Sequence, residues 1–345
     1  VTARDLGSRH LCSGILAHPL GLHCAVARDG TVSEGATDIG RFLGGLRRAV
    51  ERGATFLDTA ASYGCGHSER VIGRFLREHP NLPVQLSTTV GQVRGTAPHP
   101  YAGRHIHHQL EQSLENLYAE QLDLYTLDSF DFGSGDRYLG NAIDTMRTLR
   151  DVESIKAIGM RGPYADCTAS PDERERQVER FLYLFRLIKP DVVWTRFNAF
   201  TPTILLEGED LFSFTARHGV GLVLAAPLTR GVLTRPGAHT STPRLTGLTP
   251  PHGEQIKERL HALHTHFGDA PGTLTCLALR SCLQRGDHCL VVIDFNTEEQ
   301  VEENYSCLGP PLTEWELRLV DEIYADLRTG LQESVARAPA QKVHV

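Results

Sequence analysis

The sequence predicts one closed barrel of eight parallel strands ringed by helices, an α/β chain of (β/α)8 type. Three observations predict it. Eight short apolar runs alternate with longer amphipathic segments along the 345 residues. The runs are apolar nearly throughout rather than at every second residue, as strands covered on both faces must be. The length could be divided in two at roughly 150 residues per domain, but it also suits a single barrel, and no repeat stands out beyond the strand–helix alternation.

In order along the chain, Leu11–Leu16 is read as the first strand and Asp38–Arg52 as the helix after it. Strands Thr55–Asp58, Val84–Thr88 and Leu122–Leu127 are separated by helices Ser68–Arg77 and His105–Ala119. Helix Leu139–Arg150, strand Ile155–Met160 and helix Pro171–Ile188 follow, the last opened by Ser170 as its cap with Pro171 in its first turn. Val192–Thr195 and Gly221–Ala225 are the sixth and seventh strands, with helix Gly208–Arg217 between them. Helices His252–His266 and Leu274–Gln284, strand Cys289–Ile293 and helices Glu298–Ser306 and Glu314–Leu327 complete the barrel. Residues 1–330 are assigned to the barrel and 331–345 to a polar tail. The loops Gly91–Arg104 and Gly231–His252, rich in Pro, Gly, Thr and His, follow strands and so belong over the C-terminal face, where barrels build active sites.

Thirty-five Lys and Arg against 42 Asp and Glu leave a net charge of −7, which excludes a strongly basic nucleic-acid binder. The longest largely apolar run, Val220–Leu228, is far short of the ~20 residues that span a bilayer, and the first residues carry no secretory pattern. Eight scattered cysteines without a CxxC are read as reduced thiols of a cytoplasmic protein. His105, His107 and His108 open a helix with no Cys or carboxylate ligand near them in sequence, so no metal is expected.

The segment Arg52-Gly-Ala-Thr-Phe-Leu-Asp58-Thr-Ala-Ala-Ser-Tyr63-Gly-Cys-Gly-His-Ser68-Glu69 resembles the signature of the aldo-keto reductases. Gln121–Leu127, Ile155–Gly159, Ala226–Thr234 and Gln300–Asn304 resemble, in the same order, that family's fourth strand, fifth strand, loop after the seventh strand and final cofactor helix. The resemblance covers roughly residues 5–325 and implies a TIM barrel of aldo-keto reductase type. It also implies an Asp, Tyr, Lys and His that deliver a proton while a nicotinamide delivers hydride. Asp58 and Tyr63 match that pattern, but Thr89 stands in the lysine's place and Asp128 in the histidine's. Loss of the ammonium should raise the Tyr63 pKa, and a second carboxyl beside Asp58 should raise one of the pair.

The resemblance also places the nicotinamide contacts. Arg161 and Gly162 replace its Ser-Asn pair, Trp194 its glutamine, and Ala225 its stacking aromatic. Trp194 either fills the vacated space or offers substrate a stacking platform. Asp294-Phe295-Asn296 replaces a Pro-Gly-Ala turn, setting a carboxylate and a bulky ring where a pyrophosphate approaches. Glu298 lies where a cation often meets a 2′-phosphate, which favours NAD over NADP. Gln300 and Asn304 match the adenine end, or else cap a helix.

These substitutions lead to an expectation of proton rather than hydride transfer. A non-redox lyase, dehydratase or isomerase would use Asp58, Tyr63 and Asp128 on a small polar or anionic substrate, with no cofactor. Thr89, Arg161, Trp194, Arg196 and His18 are the expected substrate contacts. Two alternatives stay open: an NAD(P)H-dependent reductase of a carbonyl or conjugated C=C bond, and an inactive protein that binds a nucleotide or a partner.

Overall fold

The computed structural model describes residues 6–26, 38–93, 95–165, 169–234 and 250–337. In chain order its elements are β1 (Arg9–Cys12), β2 (Ile15–Ala17), β3 (Leu20–His23), α1 (Ile39–Glu51), β4 (Phe56–Asp58) and α2 (His67–Glu78). There follow β5 (Gln85–Val90), α3 (Gly103–Leu117), β6 (Leu122–Leu127), α4 (Leu139–Asp151), β7 (Ile155–Arg161), α5 (Pro171–Ile188) and β8 (Val192–Arg196). A short antiparallel pair, β9 (Leu205–Leu206) and β10 (Glu209–Asp210), precedes α6 (Leu211–Arg217) and β11 (Gly221–Ala225). The chain continues through α7 (Pro250–Phe267), α8 (Thr273–Leu283), β12 (Cys289–Asp294), α9 (Glu298–Ser306) and α10 (Glu314–Arg337).

Eight parallel strands close in the order β3-β4-β5-β6-β7-β8-β11-β12, so the (β/α)8 barrel is the observed architecture. The helices begin where their sequences supply caps. Asp38 accepts from the Arg41 amide at α1, Ser170 from Glu173 at α5, and Thr297 from Gln300 at α9. On its buried face α1 presents Phe42, Leu46 and Ala49 to the outside of the barrel.

The first strand differs from its expected place. Leu11–Leu16 is not in the barrel: Ser13-Gly14 breaks that apolar run, Gly14 has a φ of +83°, and β1 folds back antiparallel on β2. Leu11, Ile15 and Ala17 then pack with Phe56, Leu124 and Val292 inside the barrel, closing its N-terminal end. Gly221, at the start of β11, permits this, because a Cβ there would run into the Leu11 carbonyl oxygen. The first barrel strand is instead Leu20–His23, four residues ending in a histidine.

Three other expectations need comment. Cys276 and Cys307 form a disulfide between α8 and α9, so the cysteines are not all reduced. Nothing in their spacing announces the pair, because it is the packing of neighbouring helices that joins them. Cys12, Cys24, Cys65 and Cys282 are free thiols, and Cys167 lies outside the described residues. The last helix runs to Arg337 with Leu331 buried, beyond the expected start of a tail at 331; residues 338–345 lie outside the described residues. Most of the expected loop over 231–252 lies outside them too, at 235–249. Among the described residues no helix is long and apolar enough to cross a membrane.

Candidate active site

The register of the barrel sets Asp58, the last residue of β4, level with His23 on β3 and Ser87 on β5. Its carboxyl is 1% exposed and meets donors from three other strands. Ser87 Oγ donates to Oδ1 at 2.7 Å, while Trp194 Nε1 donates to Oδ2 at 3.0 Å. His23 Nδ1 lies 3.2 Å from the same Oδ2. A buried carboxylate needs such donors, since each one left unmade costs on the order of 1–3 kcal/mol. Burial pulls the His23 pKa down, but the Asp58 hydrogen bond and the charges of Asp294 and Asp58 outweigh it, so the net shift is upward and favours imidazolium.

Tyr63 sits on the turn after β4, its ring edge-on to His23 with centroids 5.3 Å apart. Burial first, then Asp58, Asp128 and Asp294, push its phenol well above its ordinary pKa against the opposing pull of Arg196. Tyr63 therefore holds its proton firmly.

Asp128, just past β6, faces Arg161 at the end of β7, whose Nη1 donates to Oδ1 at 3.2 Å. Burial raises the Asp128 pKa and Asp58 adds to the rise, while Arg161 and Gln92 pull against it; the net shift is upward. Arg161, expected as a free substrate anchor, thus has part of its guanidinium committed to Asp128. Arg196 is exposed at the end of β8, where it lies over the Tyr164 ring, 5.7 Å from its centroid. Among the described residues it meets no carboxylate within ion-pair distance. Thr89 is buried on β5, two residues past Ser87.

Trp194, 8% exposed, packs with the barrel-interior cluster and donates to Asp58, so it both fills space and fixes the carboxyl. The structure does not bring His18 to this group. It precedes β3 at the opposite end of that strand, stacked on Tyr305 at 5.3 Å with Nδ1 against the Leu20 carbonyl. Gln300 spends its side-chain oxygen on the Asn296 amide, 2.7 Å away at the start of α9, and Asn304 is buried on the same helix. Phe295 does not project over the strand ends: it is 4% exposed and stacks on Phe42 of α1 at 4.8 Å.

The sequence reading missed His23 and Ser87, and it placed Asp294 only at the pyrophosphate turn, not beside His23. A signal for His23 existed in Leu20–His23, a short apolar run ending in an imidazole, but it was hidden once Leu11–Leu16 had been taken as the first strand.

A family model described as Aldo/keto reductase family matches residues 34–325. L-galactose dehydrogenase of Arabidopsis thaliana is 24% identical over 273 residues, 76% of this chain and 76% of the relative. The structure of a glycerol dehydrogenase from Gluconobacter oxydans superposes with a TM-score of 0.71 at 20% identity, covering 99% of this chain and 100% of that one. An aldo/keto reductase from Klebsiella pneumoniae in complex with NADP and acetate superposes with a TM-score of 0.64 at 19% identity, covering 93% and 96%. A family of reductases, with relatives named as dehydrogenases and a structural neighbour holding NADP, overturns two expectations: a non-redox lyase or isomerase, and an enzyme without cofactor. Both rested on the replaced lysine and histidine and on the joint loss of the nicotinamide contacts. The folded chain sets an imidazole beside Asp58 and turns the Phe295 ring into the core, so neither loss follows from the sequence change alone. With the match running across nearly the whole barrel, this chain belongs to the aldo/keto reductase family.

Proposed function

We propose that the chain is a nicotinamide-dependent oxidoreductase that interconverts a carbonyl and an alcohol at the C-terminal mouth of the barrel. The observation that carries this reading is Tyr63 set edge-on to the His23 ring of the buried Asp58 group, in a chain of this family. The dinucleotide supplies or accepts hydride when bound. Two features of the chain fit it. The Phe295 ring is withdrawn into the core and so does not stand where a pyrophosphate would approach, and Arg196 offers an exposed cation to a phosphate or a substrate carboxylate. Trp194 would border the nicotinamide, and α9, with Gln300 and Asn304, the adenine end. Glu298 and Glu299 in the first turn of α9 disfavour a 2′-phosphate, so NAD(H) is the better fit.

In the reductive direction Tyr63 donates its phenolic proton to the carbonyl oxygen as negative charge develops there. Its high pKa prevents early loss of the proton and makes phenolate costly, so the residues around it must offset that cost. Asp58, held by Ser87 and Trp194, fixes one wall of the site. Asp128, with its raised pKa, and Arg161 border the other and would orient the substrate oxygen, with Thr89 on β5, between β4 and β6. Four of the ten side chains picked from the sequence as site residues, Asp58, Tyr63, Asp128 and Arg161, thereby take roles in proton delivery and orientation.

The test is binding and turnover together. NADH and NADPH are titrated by cofactor fluorescence. Oxidation of each is then followed with a panel of aldehydes and ketones, and reduction of NAD⁺ and NADP⁺ with aldoses and polyols. Turnover with at least one pair, and tighter binding of NADH, is the expected result. Absence of both binding and turnover across the panel would end the reductase reading.

A further inference from the structure

We propose that His23, held as an imidazolium by Asp58, is a positioning residue for proton delivery, supplying from the first barrel strand the positive charge that Tyr63 needs as it gives up its proton. This rests on the reductase reading above and adds to it a residue from a strand that the sequence signature does not reach.

The geometry carries the inference. His23 ends β3, level with Asp58 on β4 on one side and Asp294 on β12 on the other. Nδ1 faces Asp58 Oδ2 at 3.2 Å, an oxygen that Trp194 Nε1 also holds, so the imidazole plane is fixed by a carboxylate that is itself fixed. The ring lies edge-on to Tyr63 with the planes at 79°, and 6.3 Å from the Trp194 ring. Among the described residues, the titratable and charged groups facing it are Asp58 from β4, Tyr63 from the following turn, Asp294 from β12 and Arg196 from β8. Two carboxylates against one guanidinium favour the charged ring, in agreement with the upward net shift of its pKa.

The consequence follows from charge. A phenol surrounded by Asp58, Asp128 and Asp294 resists becoming phenolate; Arg196 opposes those charges, and a charged His23 ring edge-on to Tyr63, with centroids 5.3 Å apart, opposes them too. A nearby opposite charge typically shifts a pKa by about one to three units, so loss of the His23 charge should slow proton delivery by about tenfold or more. His23 transfers no proton here; it lowers the cost of the Tyr63 anion while hydride, supplied by the reduced nicotinamide, and the Tyr63 proton complete the alcohol.

The pH dependence has a definite sign. Turnover should be full while His23 is protonated and should fall as pH rises through its midpoint, which lies above its ordinary value near 6.5. Tyr63 does not interfere, because its own titration lies far higher.

Two measurements on the full chain decide this. The first follows the His23 ring carbon resonance by NMR against pH in wild type and Asp58→Asn. A midpoint above the ordinary one that drops by about one unit or more in the variant is expected. The second compares kcat against pH for wild type, His23→Gln and His23→Lys, with NADH and an electron-poor aromatic aldehyde. The Gln variant should lose about tenfold or more in kcat and lose the alkaline fall, with KM little changed, and Lys should restore part of the rate. A wild-type midpoint at or below the ordinary value overturns the proposal. So does a Gln variant that keeps both its rate and its alkaline fall, and either result leaves the reductase reading standing. No nicotinamide-dependent turnover in wild type, even with a raised His23 midpoint, overturns the reductase reading and this role with it. If Asp58→Asn does not fold, the wild-type midpoint and the kcat profiles decide alone.

Discussion

Ser87 and Thr88 are neighbours on β5, and each gives its hydroxyl to a buried carboxyl on a different side of the barrel wall. Ser87 points inward to Asp58, 2.7 Å away, while Thr88 points outward to Glu69 of α2, 2.9 Å away. Both carboxyls belong to the same stretch of sequence, and both are almost wholly buried. Their other partners differ. Glu69 is completed by the Asn116 side-chain amide at 2.9 Å, a neutral donor that never titrates, and so ties α2 to β5 and α3. Asp58 is completed by an indole and by an imidazole that can gain or lose a proton, next to a tyrosine. Burial alone therefore does not distinguish a structural carboxyl from a chemical one. The distinction lies in whether a partner can change its charge.

The largest expected effect on the inner side comes from Tyr63→Phe. Removing the phenolic proton should cut the rate by about 10²–10⁴-fold, with the melting temperature close to wild type. An equal loss of melting temperature would mean that the inner side is structural like the outer one. The converse variant is Glu69→Ala, which strands the buried Thr88 hydroxyl and the half-buried Asn116 amide and should cost about 2–4 kcal/mol by urea unfolding. The catalytic rate of the fraction that remains folded should be nearly unchanged. A large fall in its kcat would erase the contrast between the two carboxyls.

A pH series sharpens it further. Because the folded-state pKa of His23 is raised, the His23–Asp58 pair contributes stability that is fully present below the unfolded value near 6.5. That stability disappears as pH rises through the folded value. Wild type should lose stability over this window relative to His23→Gln, whereas Asn116→Ala, on the outer side, should show the wild-type slope. Parallel slopes for wild type and His23→Gln would count against a charged His23. The smallest effects are those of the two neighbours. Ser87→Ala and Thr88→Val should each remove about 1 kcal/mol of hydrogen bonding, read mainly in kcat for the first and in stability for the second.

Much of this fold was legible before folding. The largely apolar run at Leu122–Leu127, the continuous one at Gly221–Ala225, and the Ser170-Pro171 cap are local signals, because strand and helix periodicity and capping act over a few residues. The motif through Asp58, Tyr63 and Glu69 was legible for the same reason: its residues are close in sequence. The assignment of Leu11–Leu16 to the barrel failed because an apolar strand in a plugging hairpin and one in the barrel wall bury similar side chains. Only the register of β3 against β12 and β4 separates them.

The sequence by itself determined the barrel, the family and the place of the two carboxyls, because each is written in short-range pattern. What surrounds those carboxyls was decided only by tertiary structure. His23 reaches Asp58 across 35 residues and Trp194 across 136, and the Cys276–Cys307 pair closes over 31. Such contacts depend on strand register and helix packing, which bring together residues that no local pattern connects. The charge state of a buried group is set by those neighbours rather than by its own position in the chain.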